Sequence, residues 1–387
     1  VTAAYPVTAH AAANALGATT REVVARLREA RSGLGPCPLP VPFEAPSGVC
    51  AAPALPASLA DCDSPTARLA VAGLDEVRPA LARALARHGA DRVALVVGTT
   101  TAGLARTERA HATLRRTGAL PADYDLHRQH SYGALLELLR RATGIAGPAF
   151  VVSTACSASA KAFGSAQRML DAGVVDAVLV GGVDALCETT LRGFHCLEIL
   201  SAEPCRPLSR ARAGINIGEG VAYLLLERAG DGPARLLGVG ESSDAHHMSA
   251  PHPEGAGARA AMQAALAQAA VAPADVDYVN AHSPGTRLND LSEALAIETL
   301  LGRDVPVVST KGYTGHLLGA GGATEAIFAI VAIEQGWIPA SLGADPVDAE
   351  LHLAIPTARL DRACRRVLSN SFAFGGSNVS LLFGGPS

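Results

Sequence analysis

The 387-residue chain is poor in aromatic side chains, which make up 4% of it and include a single tryptophan. Small aliphatics must therefore fill its core, because hydrophobic residues still account for 49% of the sequence. It also lacks a strong charge imbalance: 32 basic against 36 acidic residues leave a net charge of −4. That excludes a basic nucleic-acid-binding module, although a local patch for an acidic partner remains compatible with the sum. None of the eight cysteines forms a Cys-x-x-Cys pair, so neither a zinc ribbon nor another metal site is expected. No apolar run has the length of a membrane span and no leader peptide is evident. The expectation is a cytoplasmic protein with reduced thiols and no membrane contact.

What the chain does contain is repetition. VVST occurs at 151–154 and again at 307–310, and a Gly- and Ala-rich stretch follows each copy. GINIGEGVAYLLLE (214–227) is paired with FAFGGSNVSLLF (372–383), and ADRVALVVG (90–98) with ADVDYVNAH (274–282). The order is the same and the spacings are similar, apart from extra material within 99–150 in the first copy. The pattern reads as a duplicated half-domain, 1–230 and 231–387, the first carrying the insertion.

Coarse periodicity agrees. TREVVARLREA (20–30) reads as a helix with Thr20 as a possible cap, and the proline-rich 35–57 as an extended segment. LDEVRPALARALARHG, SASAKAFGSAQRMLDAG, NDLSEALAIETLLG and GGATEAIFAIVAIEQG read as helices. RVALVVG, AFVVST, DAVLVGGVDAL, DYVNA and VPVVST read as buried strands between them. Helices alternating with continuous apolar strands imply parallel sheets covered on both faces. Two such halves predict a five-layer α/β/α/β/α fold, with small-faced central helices between the sheets.

Cys156 lies two residues past a buried strand, at the start of a helix. A helix N-terminus favours a thiolate and lowers a cysteine's pKa, and its free N–H groups can hold an oxyanion. The plain alternative is a buried structural thiol. His282 and His316 also follow strand ends, where ligands gather in open α/β sheets. A pseudo-twofold relation between the halves would bring Cys156 and His316 together.

The stretches TACSAS, RPLSRARAGINIGEG, NAHSPGTRLND, STKGYTGHLLGAGGATEA and NSFAFGGSN, spread over most of the chain in the family's order, resemble the β-ketoacyl-acyl-carrier-protein synthases, condensing enzymes on the thiolase-like duplicated fold. The resemblance implies a Cys156–His282–His316 triad. Cys156 takes an acyl group from a thioester, and the two histidines assist decarboxylation of malonyl-acyl carrier protein and hold the enolate oxygen. The resemblance further implies an ion pair of Lys311 with Glu325 that orders the site. It assigns the oxyanion hole to the backbone of Cys156 and Phe374, and a gate to Phe374, Gly375 and Gly376. Ser283 and Thr286 are implied contacts of the carrier's phosphopantetheine arm, and no resident cofactor is expected. Implied partners are the acyl carrier protein and a second subunit, identical or related.

Three positions depart from that pattern: Pro284 stands where a threonine is usual, Ala373 where glycine is usual, and Lys161 where a small or neutral residue is more expected. They point to a specialised synthase in fatty-acid, polyketide or aryl-polyene-type synthesis. Two other readings stay open here. A thiolase needs a second catalytic cysteine near the C-terminus, and the terminal loop has none, with Cys364 lying before the last strands. A non-catalytic, chain-length-factor-like partner subunit lacks the nucleophile.

Overall fold

Val-, Leu- and Ala-rich runs buried on both faces become the strands of one large mixed sheet. The computed structural model describes residues 3–386. In chain order the strands are β1 (Tyr5–Asn14), β2 (Leu34–Gly35), β3 (Ser47–Gly48), β4 (Val93–Gly98), β5 (Ala149–Val152), β6 (Ala177–Asp184), β7 (Gly220–Glu227), β8 (Ala234–Ser243), β9 (Tyr278–Asn280), β10 (Val307–Val308), β11 (Arg366–Phe372) and β12 (Ser377–Gly384). β2 and β3 make a small separate ribbon; the others join in the order β10-β9-β11-β12-β8-β1-β7-β6-β4-β5.

That order is one motif written twice. The first half reads β5-β4-β6-β7-β1 and the second β10-β9-β11-β12-β8, strand for strand. In each half the first three strands are parallel and the remaining pairings antiparallel. The paired sequence segments fall on β5 and β10, β4 and β9, and β7 and β12. The halves meet through a short antiparallel contact between Tyr5–Val7 of β1 and Ala234–Leu236 of β8.

Helices Ala158–Asp171 and Gly321–Gln335 pack on each other between the two halves, and each touches strands of both. Helices Pro65–Ala72, Arg78–His88 and Tyr132–Thr143 cover the outer face of the first half, and Ala256–Ala269 with Arg287–Leu301 that of the second. This gives the five layers of a thiolase-like fold. Every residue from Gly321 to Ala332 is buried. Where this helix meets the other central helix the fit needs glycine: a Cβ on Gly322 would lie 2.8 Å from both the Cβ and the N of Ala160.

Two local expectations change. The cap of the first helix (Thr20–Arg28) is Thr19, which shares a capping box with Glu22. Thr20 is drawn away: it accepts from the Ala12 N–H (3.0 Å) and donates to Glu76 (2.5 Å). The two VVST copies also diverge after their strands. The first runs directly into a left-handed elbow at Ala155 (φ 50°) and then Cys156. The second inserts Lys311–Leu317 before its elbow at Leu318 (φ 51°). The counterpart of Cys156 is therefore Gly319, and His316 belongs to the inserted segment, not to an equivalent strand end.

Gly322→Val is expected to lower unfolding free energy by about 1–3 kcal/mol through overpacking of the central helix pair, measured by urea denaturation. A stability equal to the parent would contradict this close packing.

Candidate active site

Cys156 sits on the elbow between β5 and the helix Ala158–Asp171 and is 9% exposed. The Thr154 carbonyl accepts from both the N–H (3.3 Å) and the hydroxyl (2.9 Å) of Ser157. Ser157 Oγ in turn lies 3.1 Å from Ser377 Oγ, linking the elbow to the turn 373–377. In that turn Gly375 (φ 83°) and Gly376 (φ 78°) are left-handed, which only glycine adopts without strain. Gly375 N–H donates to the Met248 carbonyl (2.8 Å), and Asp244 N–H to the Gly376 carbonyl (2.9 Å). Ala373 is ordinary extended backbone (φ −114°), so an alanine there costs no strain. Phe374 is 38% exposed and meets Phe194 edge-on at 6.2 Å.

In the folded chain the helix start does not lower the Cys156 thiol pKa. Burial pushes the Cys156 thiol up to about 11. The Lys311 charge and the backbone N–H groups of Phe374 and of Cys156 itself, which hydrogen-bond toward the sulfur, pull it back in part. A helix start can be recognised in sequence, whereas the desolvation that outweighs it here is a tertiary property.

His282 follows β9. Its N–H donates to Glu293 (2.9 Å) and its carbonyl accepts from Lys311 Nζ. His316 N–H donates to the Asn216 carbonyl (2.7 Å), and its carbonyl accepts from Gly218 N–H (3.0 Å). The two rings meet edge to face at 5.3 Å. Both ring nitrogens of His316 are buried and have no protein partner. Burial first, and then the Lys311 charge, hold both imidazoles well below the usual histidine pKa; His316 adds to the effect on His282. Both rings are therefore neutral at physiological pH. Lys311 Nζ stands 2.5 Å from Glu325 Oε1, with both side chains buried. Burial raises Glu325 to about 7 despite that cation.

Cys156, His282, His316, Phe374 and Thr286 line one cavity of about 330 Å³, together with Pro284, Arg212 and Asn289. Ser283 does not. It is buried, its hydroxyl donates to Glu293 (2.9 Å) and its carbonyl accepts from Ser309 (2.7 Å), so it braces the loop and cannot contact a substrate arm. Lys161 is partly buried, 3.7 Å from Glu241, which also takes Arg168 (2.9 Å). Cys364 lies outside the cavity, beside the Arg362 carbonyl, so a second catalytic cysteine of the thiolase kind is not supplied.

Several supporting residues escaped the sequence reading. Asp290 and Glu293, three apart on helix Arg287–Leu301, turn one face inward: Glu293 also accepts from Ser283 N–H (2.6 Å) and Asn370 (3.1 Å). Arg212 bridges Asp290 (3.5 Å) and Asp348 (2.6 Å). Asp184 ends β6 and accepts from Thr99, Thr101 and Gly319. The three acids had a signal, lying beside apolar runs in VLVGGVD and NDLSEA; Arg212 had none.

Residues 64–232 match the β-ketoacyl synthase N-terminal domain, and residues 233–345 the β-ketoacyl synthase C-terminal domain. The chain belongs to the β-ketoacyl synthase family. It is an acyl-transferring condensing enzyme of fatty-acid or polyketide synthesis. It is 34% identical to the 3-oxoacyl-[acyl-carrier-protein] synthase 2 of Staphylococcus aureus, over 76% of this chain and 77% of that one. Identity to Nodulation protein E of Rhizobium meliloti is 32%, over 95% and 96%. A 39% match to the mitochondrial 3-oxoacyl-[acyl-carrier-protein] synthase of Arabidopsis thaliana spans 62% of this chain and 57% of that protein. Among solved structures, a chain from the complex of a Xenorhabdus doucetiae ketosynthase with its chain length factor superposes with a TM-score of 0.93 at 37% identity, covering 99% of this chain and 98% of that one. Among the described residues no helix is long and apolar enough to cross a membrane.

Two outcomes are expected. Inactivation by iodoacetamide should quicken about tenfold per pH unit between pH 7 and 9, following the thiolate fraction of a thiol that titrates near 11; a plateau near pH 7 would contradict a desolvated thiol. Lys311→Met should cost about 3–5 kcal/mol of stability by leaving Glu325 unpaired, and Lys311→Met with Glu325→Leu should recover most of it. Chemical denaturation of both variants tests the pair.

Proposed function

We propose that Cys156 carries the acyl group in a decarboxylative Claisen condensation with malonyl-acyl carrier protein, in fatty-acid, polyketide or aryl-polyene-type synthesis. The observation that carries this reading is the sulfur itself. The backbone N–H groups of Cys156 and Phe374 favour negative charge on it, and two neutral imidazoles line the same cavity.

In the first step the Cys156 sulfur attacks the acyl thioester carbonyl, and those two N–H groups hold the oxyanion. The C–S bond to the carrier breaks, and the departing carrier sulfur takes the thiol proton. Malonyl thioester then enters. Its carboxylate leaves as carbon dioxide, and the electron pair passes to an enolate whose oxygen accepts hydrogen bonds from His282 and His316. Neutral imidazoles donate to that oxygen without a standing charge in the resting site. The enolate carbon attacks the Cys156 thioester, a C–C bond forms, and the thiolate departs. Lys311 and Glu325 fix the loop that bears His282. Phe374, swinging on Gly375 and Gly376, gates the passage, and Thr286 contacts the phosphopantetheine arm.

The substrates arrive on that arm, so no resident cofactor is proposed. The chain is proposed to work in the cytoplasm, paired with a second copy or a related ketosynthase-like subunit. The Xenorhabdus doucetiae ketosynthase, solved with its chain length factor, supports the second form. We read 1–230 and 231–387 as the half-domains, with the insertion at 99–150; the matching strand orders support the division.

Cys156→Ala should lose acyl-enzyme formation and at least about 10³-fold of condensation, while retaining malonyl decarboxylation. His316→Ala should slow decarboxylation about 10²–10³-fold and leave Cys156 able to take an acyl group. Mass spectrometry of the loaded enzyme and release of carbon dioxide read the two steps separately. Condensation that survives in Cys156→Ala would sink the reading.

A further inference from the structure

The Cys156 N–H, assigned above to the oxyanion, belongs to the peptide that also contains the Ala155 carbonyl. A peptide is planar, so whatever fixes that carbonyl also fixes the direction of the N–H on its other side. This peptide needs fixing. Ala155 is left-handed (φ 50°), a conformation that a residue with a Cβ keeps only where its neighbours enforce it.

The Ala155 carbonyl accepts from the Thr100 hydroxyl (3.3 Å). Thr100 follows β4 and is itself pinned at both ends of its backbone. Its N–H donates to both oxygens of Asp184 (2.9 and 3.0 Å), and its carbonyl accepts from the Tyr132 hydroxyl (3.3 Å). With the backbone held in this way, the side chain is directed at the nucleophile's own peptide.

Asp184 is fully buried and does not line the cavity. Its partners are hydroxyls and N–H groups, not cations: besides Thr100 it accepts from Thr99 Oγ (2.7 Å), both donors of Thr101 (2.7 Å) and Gly319 N–H (2.7 Å). An ionised carboxylate accepts at both oxygens, whereas an amide would turn a donor on that crowd of donors. A buried carboxylate without a cation is costly, and what it holds in return is the segment that carries Thr100.

We propose that Thr100, held by Asp184, is a positioning residue for acyl transfer: its hydroxyl sets the plane of the Ala155–Cys156 peptide and so aims the Cys156 N–H at the oxyanion. This rests on the reading of Cys156 as the acyl acceptor. The Thr100 bond is long in the resting chain, which suits the role. When the Cys156 N–H donates to a developing oxyanion, the carbonyl of the same peptide gains negative charge and becomes a stronger acceptor. Thr100 therefore contributes most in the transition state. The enolate formed by decarboxylation is held by His282 and His316 instead, so Thr100 has no part in that step.

The test measures both steps on the whole enzyme. Acylation of Cys156 by a hexanoyl N-acetylcysteamine thioester is followed by intact-protein mass spectrometry, and decarboxylation by carbon dioxide release from the malonyl N-acetylcysteamine thioester. Thr100→Val keeps the shape of the side chain without its donor. It should slow acylation about five- to tenfold and leave decarboxylation within about twofold of the parent. Thr100→Ser keeps the donor and should acylate within about twofold of the parent. Asp184→Asn should slow acylation at least as much as Thr100→Val; if that buried substitution fails to fold, the Thr100 variants decide. Acylation of Thr100→Val at the parent rate, equal slowing of both steps, or Thr100→Ser as slow as Thr100→Val overturns the proposal. A parent enzyme that takes no acyl group on Cys156 overturns the underlying reading and the proposal with it.

Discussion

One buried cation organises this site. Lys311 is enclosed by the fold, bonded to Glu325 and to the His282 carbonyl, and its field reaches both histidines and the nucleophile. It helps to keep each imidazole neutral and lowers the energy of a thiolate at Cys156. A charge in such a place survives only with a close partner, because the loss of hydration must be offset by a short contact and further hydrogen bonds. Glu325 supplies the contact, from a helix whose neighbouring residues are buried throughout. The central helix pair therefore does more than fill space. It carries the one carboxylate that lets a lysine reside beside the reacting atoms.

The same dryness opposes the nucleophile. Removing water strengthens every hydrogen bond in the cavity, but it also penalises the thiolate, and at Cys156 burial outweighs the nearby charge and N–H groups. A resting thiol suits a two-step scheme. The N–H groups of Cys156 and Phe374 are most useful where charge develops during attack, not on the sulfur at rest. One of the two comes from a turn with left-handed glycines and belongs to a phenylalanine whose ring is 38% exposed.

Much of the fold was legible because strands buried on both faces write unbroken apolar runs, and a duplication writes them twice. The matching segments fell on equivalent strands, and Cys156, His282, His316 and Thr286 gathered in one cavity. What failed depended on distant neighbours. Thr19 and Thr20 are equally good caps in sequence; Glu76, far along the chain, takes Thr20 out of contention. Ser283 beside His282 has the look of a ligand contact until Glu293 is seen to occupy its hydroxyl. The thiol pKa followed the helix start in sequence and desolvation in space.

The duplication also explains why the chemistry is one-sided. Asp184 accepts from Thr99 Oγ (2.7 Å), the Thr100 N–H (2.9 Å), both donors of Thr101 (2.7 Å) and, across the pseudo-twofold relation, the Gly319 N–H (2.7 Å). Thr100 then donates to the Ala155 carbonyl (3.3 Å), so one carboxylate fastens both elbows. Its clasp leaves no room at the second elbow. A Cβ on Gly319, the counterpart of Cys156, would lie 2.7 Å from Asp184 Oδ2 and 2.8 Å from the Thr100 nitrogen. A side chain can therefore stand at only one of the two elbows. The other repeat carries the inserted segment 311–317, which buries Lys311 against Glu325 and brings His316 into the cavity with Cys156.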